Sequence, residues 1–248
     1  MASLDWLIAR PVAHRGLHNS ATGVVENTPS AFTAAVAGNY SIECDLQLSA
    51  DGEAMVFHDD SLERLTEGSG RVDALPAAAL KRVTFRATPD HMITLAELCE
   101  LVAGRVTLVI EVKSHFDDDR RLIRRAAEVL ANYRGPVALM SFDPGPMAAL
   151  RALAPGLTRG IVAERHYRQR EWDHFSLRAR RALTYFTHAL ATRPQFLAYS
   201  VKDLPSALPL AARRVLKLPL LTWTVRTPQD RERAARYADQ IIFEGFRP

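Results

Sequence analysis

Two acidic residues in one apolar run are the clearest sign of chemistry in this chain. Glu43 and Asp45 are two residues apart in the run Ser41–Leu46, so in a β-strand both side chains lie on the same face. Two carboxylates about 4 Å apart repel each other by roughly 4 kcal/mol at an effective dielectric constant of about 20. Such a pair is expected to bind a cation, contact a basic group or shift its pKa. An exposed strand face without a function is the alternative interpretation.

Further chemically capable side chains follow other apolar runs: His14, Arg15, His58, Glu111 and Lys113. A histidine with an ordinary pKa near 6.5 can accept or donate a proton near neutral pH. A guanidinium group can bind two oxygens of an anion at once, and an ammonium group acts as a point charge. Taken singly, each of these residues also has a structural interpretation, such as a salt bridge or a satisfied core histidine.

Eight apolar runs have the character of strands, and segments with helical spacing separate them. The predicted strands are Pro11–His14, Ser41–Leu46, Arg105–Val112, Pro136–Ser141, Thr158–Ala163, Phe196–Val201, Pro219–Val225 and Gln240–Phe243. The predicted helices are Pro29–Ala37, Leu95–Ala103, Asp117–Tyr133, Pro146–Leu153, Asp173–Ala191, Ser206–Val215 and Pro228–Tyr237. Apolar strands that alternate with helices indicate a parallel sheet covered on its outside. Eight such units close naturally into a (β/α)8 TIM barrel of the α/β class.

A single barrel domain over residues 1–248 accounts for the length of the chain. No linker rich in Pro, Gly or Ser divides the sequence, and it contains no low-complexity tract. The stretch from about residue 50 to residue 94 is longer than a usual connection between a strand and a helix. We predict that it is a small insertion after the second strand, placed over the active site and carrying His58 on its inner edge.

The barrel would bring distant residues together, because active sites of this fold lie at the C-terminal ends of the strands. Strand ends of the predicted barrel carry His14 and Arg15, then Glu43 and Asp45, then Glu111 and Lys113, and finally Trp223. Three carboxylates at one rim form an oxygen-only ligand set, which favours Mg²⁺ or Ca²⁺. Zinc is disfavoured because no cluster of Cys and His has ligand spacing.

The ordered series of motifs resembles the glycerophosphodiester phosphodiesterase family of bacterial type. The series consists of His14-Arg15-Gly16, Glu26-Asn27-Thr28, Glu43-x-Asp45, Asp51-Gly52, His58-Asp59 and Glu111-x-Lys113. After Lys113 the likeness is reduced to the shared architecture and the strand Thr222-Trp223-Thr224-Val225. Two departures stand out: Arg226 follows that strand where the family pattern has Asn, and Phe243-Glu244-Gly245-Phe246 replaces the usual acidic ending. We expect these departures to affect the choice of leaving alcohol and not the reaction.

The resemblance implies metal-dependent hydrolysis of glycerophosphodiesters to sn-glycerol 3-phosphate and an alcohol. In that interpretation His14 and His58 are the general acid and base, in an order that the sequence leaves open. The expected metal ligands are Glu43, Asp45 and Glu111, and the expected substrate-binding residues are Arg15, Lys113 and Trp223. Trp223 could equally belong to the barrel core. The attacking group could be water or the 2-hydroxyl of the substrate glycerol, which would give a cyclic phosphate first.

Composition narrows the partners and the location. A net charge of +4 favours small anionic ligands in general. Arginines cluster at 120–125 and between Arg165 and Arg181; solvated helix faces are the expected explanation, and weak contact with anionic lipid head groups is the alternative. Nucleic acid is not expected, because aromatic residues do not interleave with the basic stretches. The chain has no apolar run of about 18 residues and no signal-peptide pattern, and its two cysteines suit a reducing cytoplasm.

Two other functions remain open from the sequence alone. The first is a lysophospholipase D-like enzyme that acts on lipids at a membrane surface. The second is a non-catalytic barrel that binds phosphoesters, although such a barrel would not require the paired histidines. The oligomeric state does not follow from the sequence.

Overall fold

The computed structural model describes residues 3–167, 172–173 and 175–248, and within them nine strands form one sheet. The strands are β1 (Val12–Ala13), β2 (Ser41–Leu48), β3 (Ala54–Val56), β4 (Leu108–Val112), β5 (Val137–Ser141), β6 (Thr158–Ala163), β7 (Phe196–Ser200), β8 (Leu220–Val225) and β9 (Gln240–Phe243). Eight of them are parallel and follow the order β1-β2-β4-β5-β6-β7-β8-β9, and β1 pairs with β9 to close the ring. The predicted TIM barrel is therefore confirmed.

Helices cover the outside of the barrel. They are α1 (Asp5–Ile8), α2 (Pro29–Ala37), α3 (Ala77–Leu80), α4 (Leu95–Val102), α5 (Arg121–Leu130), α6 (Pro144–Leu153), α7 (Leu177–Thr184), α8 (Ala189–Thr192), α9 (Ala207–Val215) and α10 (Pro228–Tyr237). Short 3-10 helices occur at Ser20–Thr22, Val72–Ala74 and Val201–Asp203. Most bounds agree with the predicted ones to within a few residues.

One predicted helix was wrong. The single helix expected over Asp173–Ala191 is the two separate helices α7 and α8. The chain turns between them, where Phe186 has a positive φ of 54°, a conformation that the right-handed helix excludes. Helix-forming residues continue across the break, so local sequence does not indicate where the helix ends.

The two faces of β2 explain why apolar and acidic residues alternate in its sequence. Ile42, Cys44 and Leu46 are fully buried and pack outward against the helices. Glu43 and Asp45 lie on the opposite, inner face, where they are 1% exposed. Below them the barrel interior is filled by a separate apolar cluster, to which α1 contributes Leu7, Trp6 and Ile8. The polar upper layer of the barrel therefore rests on a packed apolar floor.

The segment between β2 and α4 builds a small apolar core of its own. Strand β3 pairs antiparallel with β2, outside the ring of parallel strands. Met55, Phe57, Leu62 and Phe85 are buried in this local cluster. The arrangement fixes the direction in which the chain leaves β3, and His58 follows directly.

The arginine-rich helix α5 is largely neutralised by nearby acids. Arg121 pairs with Asp119 at 2.7 Å, and Arg125 pairs with Glu53 at 2.9 Å. In the second arginine cluster, Arg168 and Arg170 lie outside the described residues. Among the described residues, no helix combines the length and the apolar composition needed to cross a bilayer.

Candidate active site

A pocket of about 710 Å³ opens at the C-terminal ends of the barrel strands. Of the eight predicted site residues, it is lined by His14, Arg15, Glu43, His58, Glu111, Lys113 and Trp223. Asp45 lies beneath this surface, 1% exposed, in contact with two of the lining residues. The volume of the pocket falls in the range of about 300–1,000 Å³ typical of small-molecule sites. The structure thus brings all eight residues to one place.

The sharp turn after β1 sets the direction of His14 and Arg15. Arg15 has φ of 53° and Gly16 has φ of 78°, so the chain passes through two left-handed residues in succession. A Cβ atom at Gly16 would lie 2.9 Å from the carbonyl carbon of Ala31, which no side chain tolerates without movement of α2. Glycine is therefore required here for both space and backbone conformation.

Three carboxylates converge because their strands are neighbours in register. Asp45 of β2 pairs directly with Glu111 of β4, and Glu43 precedes Asp45 on the same inner face. One oxygen from each of the three lies within 4.8 Å of the others. All three side chains are buried, with 9% exposure at most. This cluster could hold a hard divalent cation, since its donors are all carboxylate oxygens.

Two cations of the protein contact these carboxylates. The Lys113 Nζ lies 2.6 Å from Glu111 Oε1 and 2.8 Å from Asp45 Oδ1. The Arg15 backbone N–H donates to Glu43 Oε2 at 2.9 Å, and Arg15 Nε lies 3.4 Å from Asp45 Oδ2. An ammonium group has three donors, so Lys113 keeps one for a ligand.

The protonation of the cluster is uneven. Burial, together with the charges of Asp45 and Glu111, raises the pKa of Glu43 well above its usual range. Burial acts in the same direction on Asp45, but Lys113, His58 and Arg15 outweigh it and hold the pKa of Asp45 below its usual range. Burial would lower the pKa of Lys113, yet its two acidic partners raise it, so Lys113 stays charged.

The loop before α2 supports the cluster from behind. Asn27 Nδ2 donates to Asp45 Oδ2 at 2.9 Å, and Glu26 Oε1 accepts from Arg15 Nη1 at 2.6 Å. Through these contacts Glu26 and Asn27 hold Arg15 and Asp45 in place. Thr28 is the N-cap residue of α2, but its hydroxyl donates to the carbonyl of Val25 instead of capping the helix.

His14 is held by a residue that the sequence analysis missed. Its Nδ1 lies 2.6 Å from Oε2 of Glu244, which directly follows β9, while its Nε2 lies 3.9 Å from Glu43 Oε2. Arg226 binds the same carboxylate through two hydrogen bonds of 3.0 Å. His18 Nε2 is 3.9 Å from Glu244 Oε2. Burial lowers the pKa of His14, and the hydrogen bond to Glu244 opposes that shift.

His58 has the same kind of partner. Its Nδ1 lies 2.7 Å from Asp59 Oδ1, and Arg64 donates to both oxygens of Asp59 at 2.6 and 3.0 Å. Arg64 also reaches Glu26, at 2.7 Å from Oε1. The insertion that carries His58 is therefore tied to the loop that supports the carboxylate cluster.

The two departures from the family pattern act together near His14. We expected Arg226 and the altered C-terminal segment to leave the reaction unaffected, but both meet at Glu244, the partner of His14. An acidic residue directly after the last barrel strand was a usable signal, because the ends of β9 and β1 are adjacent in a closed barrel. Arg64 offered no such signal.

The arrangement can carry out acid–base chemistry on an anion. Each histidine directs Nδ1 at a carboxylate, which leaves Nε2 free to exchange a proton. The carboxylate cluster and the two basic residues lie in the same pocket as the histidines and form its charged part. Trp223 lines another part of it, with its ring 5.4 Å from that of Phe142.

Comparison with known proteins agrees with this geometry. Residues 14–244 match the glycerophosphoryl diester phosphodiesterase family. A glycerophosphodiester phosphodiesterase of Caldanaerobacter subterraneus is 31% identical over 163 residues, which are 61% of this chain and 65% of that protein. A probable glycerophosphodiester phosphodiesterase 1 of Mycobacterium tuberculosis is 34% identical over 177 residues, or 62% of this chain and 64% of that protein. The chain thus spans slightly less than two thirds of these relatives.

Solved structures share the fold. A phosphodiesterase of Oleispira antarctica, solved with the product sn-glycerol 3-phosphate, has a TM-score of 0.76 at 21% identity, covering 94% of this chain and 91% of that one. A glycerophosphoryl diester phosphodiesterase structure from Silicibacter pomeroyi has a TM-score of 0.75 at 22% identity, covering 94% and 89%. The family match covers nearly the whole barrel and both histidines, and the chain therefore belongs to the glycerophosphoryl diester phosphodiesterase family.

Proposed function

We propose that this protein hydrolyses glycerophosphodiesters to sn-glycerol 3-phosphate and an alcohol, with His14 and His58 as general acid and base. The observation that carries the proposal is the pair of histidine–carboxylate contacts, His14 with Glu244 and His58 with Asp59, in one pocket with a buried carboxylate cluster. A binding protein would need the positive charges but not two oriented proton-transfer groups. Family membership and the product bound to the Oleispira antarctica relative agree with this choice of substrate.

The acidic and the basic residues have different roles in binding the phosphate. Glu43, Asp45 and Glu111 would hold a divalent cation, Mg²⁺ or Ca²⁺, which acts as a Lewis acid on phosphate oxygens when bound. Arg15 and Lys113 neutralise the remaining negative charge of the diester. Each is already fixed by an acidic neighbour, so neither must be ordered when the substrate arrives.

The histidines transfer the protons. One Nε2 accepts a proton from the attacking hydroxyl, and the other donates a proton to the leaving alcohol oxygen. The carboxylate on each Nδ1 fixes the tautomer and stabilises the imidazolium form. The attacking hydroxyl is either water or the 2-hydroxyl of the glycerol. A 2-deoxy substrate distinguishes the two routes, since undiminished cleavage would eliminate the cyclic phosphate.

The first test is release of glycerol 3-phosphate from glycerophosphoethanolamine in Mg²⁺, Ca²⁺ or EDTA. We expect release that depends on the ion and that falls by about 10²–10⁴-fold in His14→Gln and in His58→Gln. Glu43→Gln should lose the dependence on the ion together with most of the activity. His91→Gln is the matched control, because His91 is exposed and does not line the pocket.

Two results would count against the proposal. Full turnover in both histidine variants would remove the catalytic assignment. Ion binding without turnover of any diester would favour a barrel that only binds phosphoesters. A cytoplasmic location is part of the proposal as well, and it rests on the free, buried thiols of Cys44 and Cys99.

A further inference from the structure

One side of the active-site pocket is a continuous aromatic surface. We call it the aromatic wall, and it consists of Phe116, Phe142, Trp172, Phe175 and Trp223, all of which line the pocket. Adjacent rings contact one another: Phe116 and Phe175 at 4.6 Å, Phe142 and Trp172 at 5.2 Å, and Phe142 and Trp223 at 5.4 Å between centroids. The contacts hold the rings in one rigid surface.

The wall and the charged residues occupy different parts of the same pocket. The carboxylate cluster lies on β2 and β4, and His14 follows β1. Phe116 follows β4, Phe142 follows β5 and Trp223 belongs to β8, so the wall begins beside the carboxylate cluster and extends away from it along the barrel mouth. The pocket is therefore built for a ligand that is ionic at one end and apolar at the other.

A glycerophosphodiester has three parts to place in this pocket. The phosphate requires the cationic side. The glycerol carries hydroxyls that need hydrogen-bond partners, which Asp60, Thr224 and Arg226 offer along the pocket rim and the aromatic wall does not. The part that remains for the aromatic wall is the leaving alcohol.

The wall is better suited to an uncharged group than to a cation. A quaternary ammonium group is bound by open ring faces, but here Phe116 packs edge to face against both Phe175 and Trp172, with interplanar angles of 79° and 84°. The indole nitrogens of Trp172 and Trp223 are buried without a hydrogen-bond partner among the described residues. Both N–H groups are enclosed by the protein, so neither offers a hydrogen bond to a ligand, and the wall provides apolar contact only.

Of the aspartates that adjoin wall residues in the sequence, Asp143 lines the pocket, and its carboxylate is already hydrogen-bonded. Asp143 directly follows Phe142, and its carboxylate accepts hydrogen bonds from the Ser114 hydroxyl at 2.6 Å and from the Gly145 N–H at 2.8 Å. It caps α6 and is 6% exposed. It is therefore poorly placed to offset the charge of a bound choline.

We propose that the aromatic wall is the leaving-alcohol subsite and that it selects diesters whose alcohol is uncharged and apolar. The proposal rests on the hydrolase function proposed above and specifies its substrate class. The monoacylglycerol released by a lysophospholipase D would belong to this class of alcohols.

The test compares glycerophosphodiesters that differ only in the leaving alcohol. Glycerophosphocholine is paired with its neutral isostere, the diester of 3,3-dimethylbutanol, and glycerophosphoethanolamine serves as a small polar reference. All are used as dissolved monomers, which excludes effects of a lipid surface. We expect kcat/KM for the neutral isostere to exceed that for the choline diester by at least about tenfold.

Variants of wall residues test whether the wall causes the preference for the neutral isostere. Phe116→Ala and Trp172→Leu should each reduce kcat/KM for the isostere by at least about tenfold and change that for glycerophosphoethanolamine by less than about threefold. Tyr185→Ala is the matched control, because Tyr185 is an aromatic residue of the same region, 64% exposed and outside the pocket. The wild-type comparison of isostere with choline decides the question even if a wall variant fails to fold.

Several outcomes would overturn the inference. Equal or higher kcat/KM for choline would refute the selection of an uncharged alcohol. If the wall variants lost kcat/KM equally for all diesters, the wall would have only a structural role. Both results leave the hydrolase function intact, whereas the absence of glycerol 3-phosphate release from every diester would refute that function and the inference with it.

Discussion

Glu244 connects the chemistry of His14 to residues that the family pattern does not include. The contact of 2.6 Å opposes the effect of burial on the imidazole, and Arg226 fixes the carboxylate from its other side. Burial tends to raise the pKa of Glu244, but its contacts with His14, His18 and Arg226 outweigh that effect and hold the pKa well below its usual range. Glu244 is therefore ionised whenever His14 works.

Replacing Glu244 by Gln should impair His14 without removing it. We expect kcat/KM to fall by about 10–100-fold, as is typical when the partner of a functional histidine is lost. Burial then lowers the pKa of His14 with only the charge of Asp45 opposing it, so the limb of the pH–rate profile that belongs to His14 should move to lower pH. The measurement is kcat/KM against pH for wild type, Glu244→Gln and the exposed control Glu232→Gln. A limb that stays in place would show that Glu244 does not act through His14.

The capped helix α10 follows the loop that carries Arg226. Thr227 accepts a hydrogen bond from the Asp230 N–H at 3.1 Å, and the Asp230 carboxylate accepts from the Thr227 N–H at 3.2 Å and from Lys202 Nζ at 2.8 Å. Burial tends to raise the pKa of Asp230, but these donors outweigh it and lower that pKa. The same carboxylate thus begins the helix and fixes the backbone beside the pocket.

Asp230→Asn should destabilise the fold in a manner that depends on pH. Because the folded-state pKa is lowered, the ionised carboxylate contributes stability above its unfolded pKa of about 3.9, and this contribution disappears as the pH falls through the folded pKa. We expect a loss of about 1 kcal/mol at pH 7 that shrinks in acid. Urea unfolding at several pH values measures it. Asp118→Asn, at an acid that is 96% exposed, is the control, and a loss independent of pH would contradict the assignment.

The strands and helices could be predicted from the sequence more readily than the contacts between distant residues. Each strand is an apolar run of local sequence, so the eight barrel strands and most helices could be located from the chain alone. The residues of the carboxylate cluster were predictable because register places Asp45 beside Glu111 on adjacent strands. Glu244 lies 230 residues from His14, and the aromatic wall combines side chains from several loops. Such contacts depend on closure of the barrel, which local patterns do not encode.

The whole barrel bears the energetic cost of the carboxylate cluster. The folded-state pKa of Glu43 is raised, so the stability of the metal-free protein falls as the pH rises above the unfolded pKa of Glu43 and through the folded one. Lys113 and Arg15 relieve part of this repulsion. The site is thus a region where function and stability oppose each other.

Glu43→Gln should therefore stabilise the metal-free protein. At pH 8 we expect its free energy of unfolding to rise by more than about 1 kcal/mol, since one pKa unit corresponds to about 1.4 kcal/mol. The gain should vanish towards pH 4, where Glu43 is protonated in both states. Excess Mg²⁺ or Ca²⁺ should stabilise wild type, because only the folded protein binds the ion. The ion should not stabilise the variant, which lacks the Glu43 carboxylate. The exposed control Glu67→Gln should change neither the free energy of unfolding nor the effect of the ion. If Glu43→Gln were less stable than wild type in EDTA, the proposed repulsion would be refuted.

The hydrogen bond between His14 and Glu244 also has a consequence for synthesis of the chain. Its two residues directly follow the first and last strands of the barrel and are 230 residues apart. On the ribosome, the strands that carry the carboxylate cluster emerge long before residue 244 leaves the exit tunnel. A nascent barrel can therefore form most of its phosphate site while His14 still lacks its partner, and closure of the ring by β9 is the event that completes the proton-transfer group.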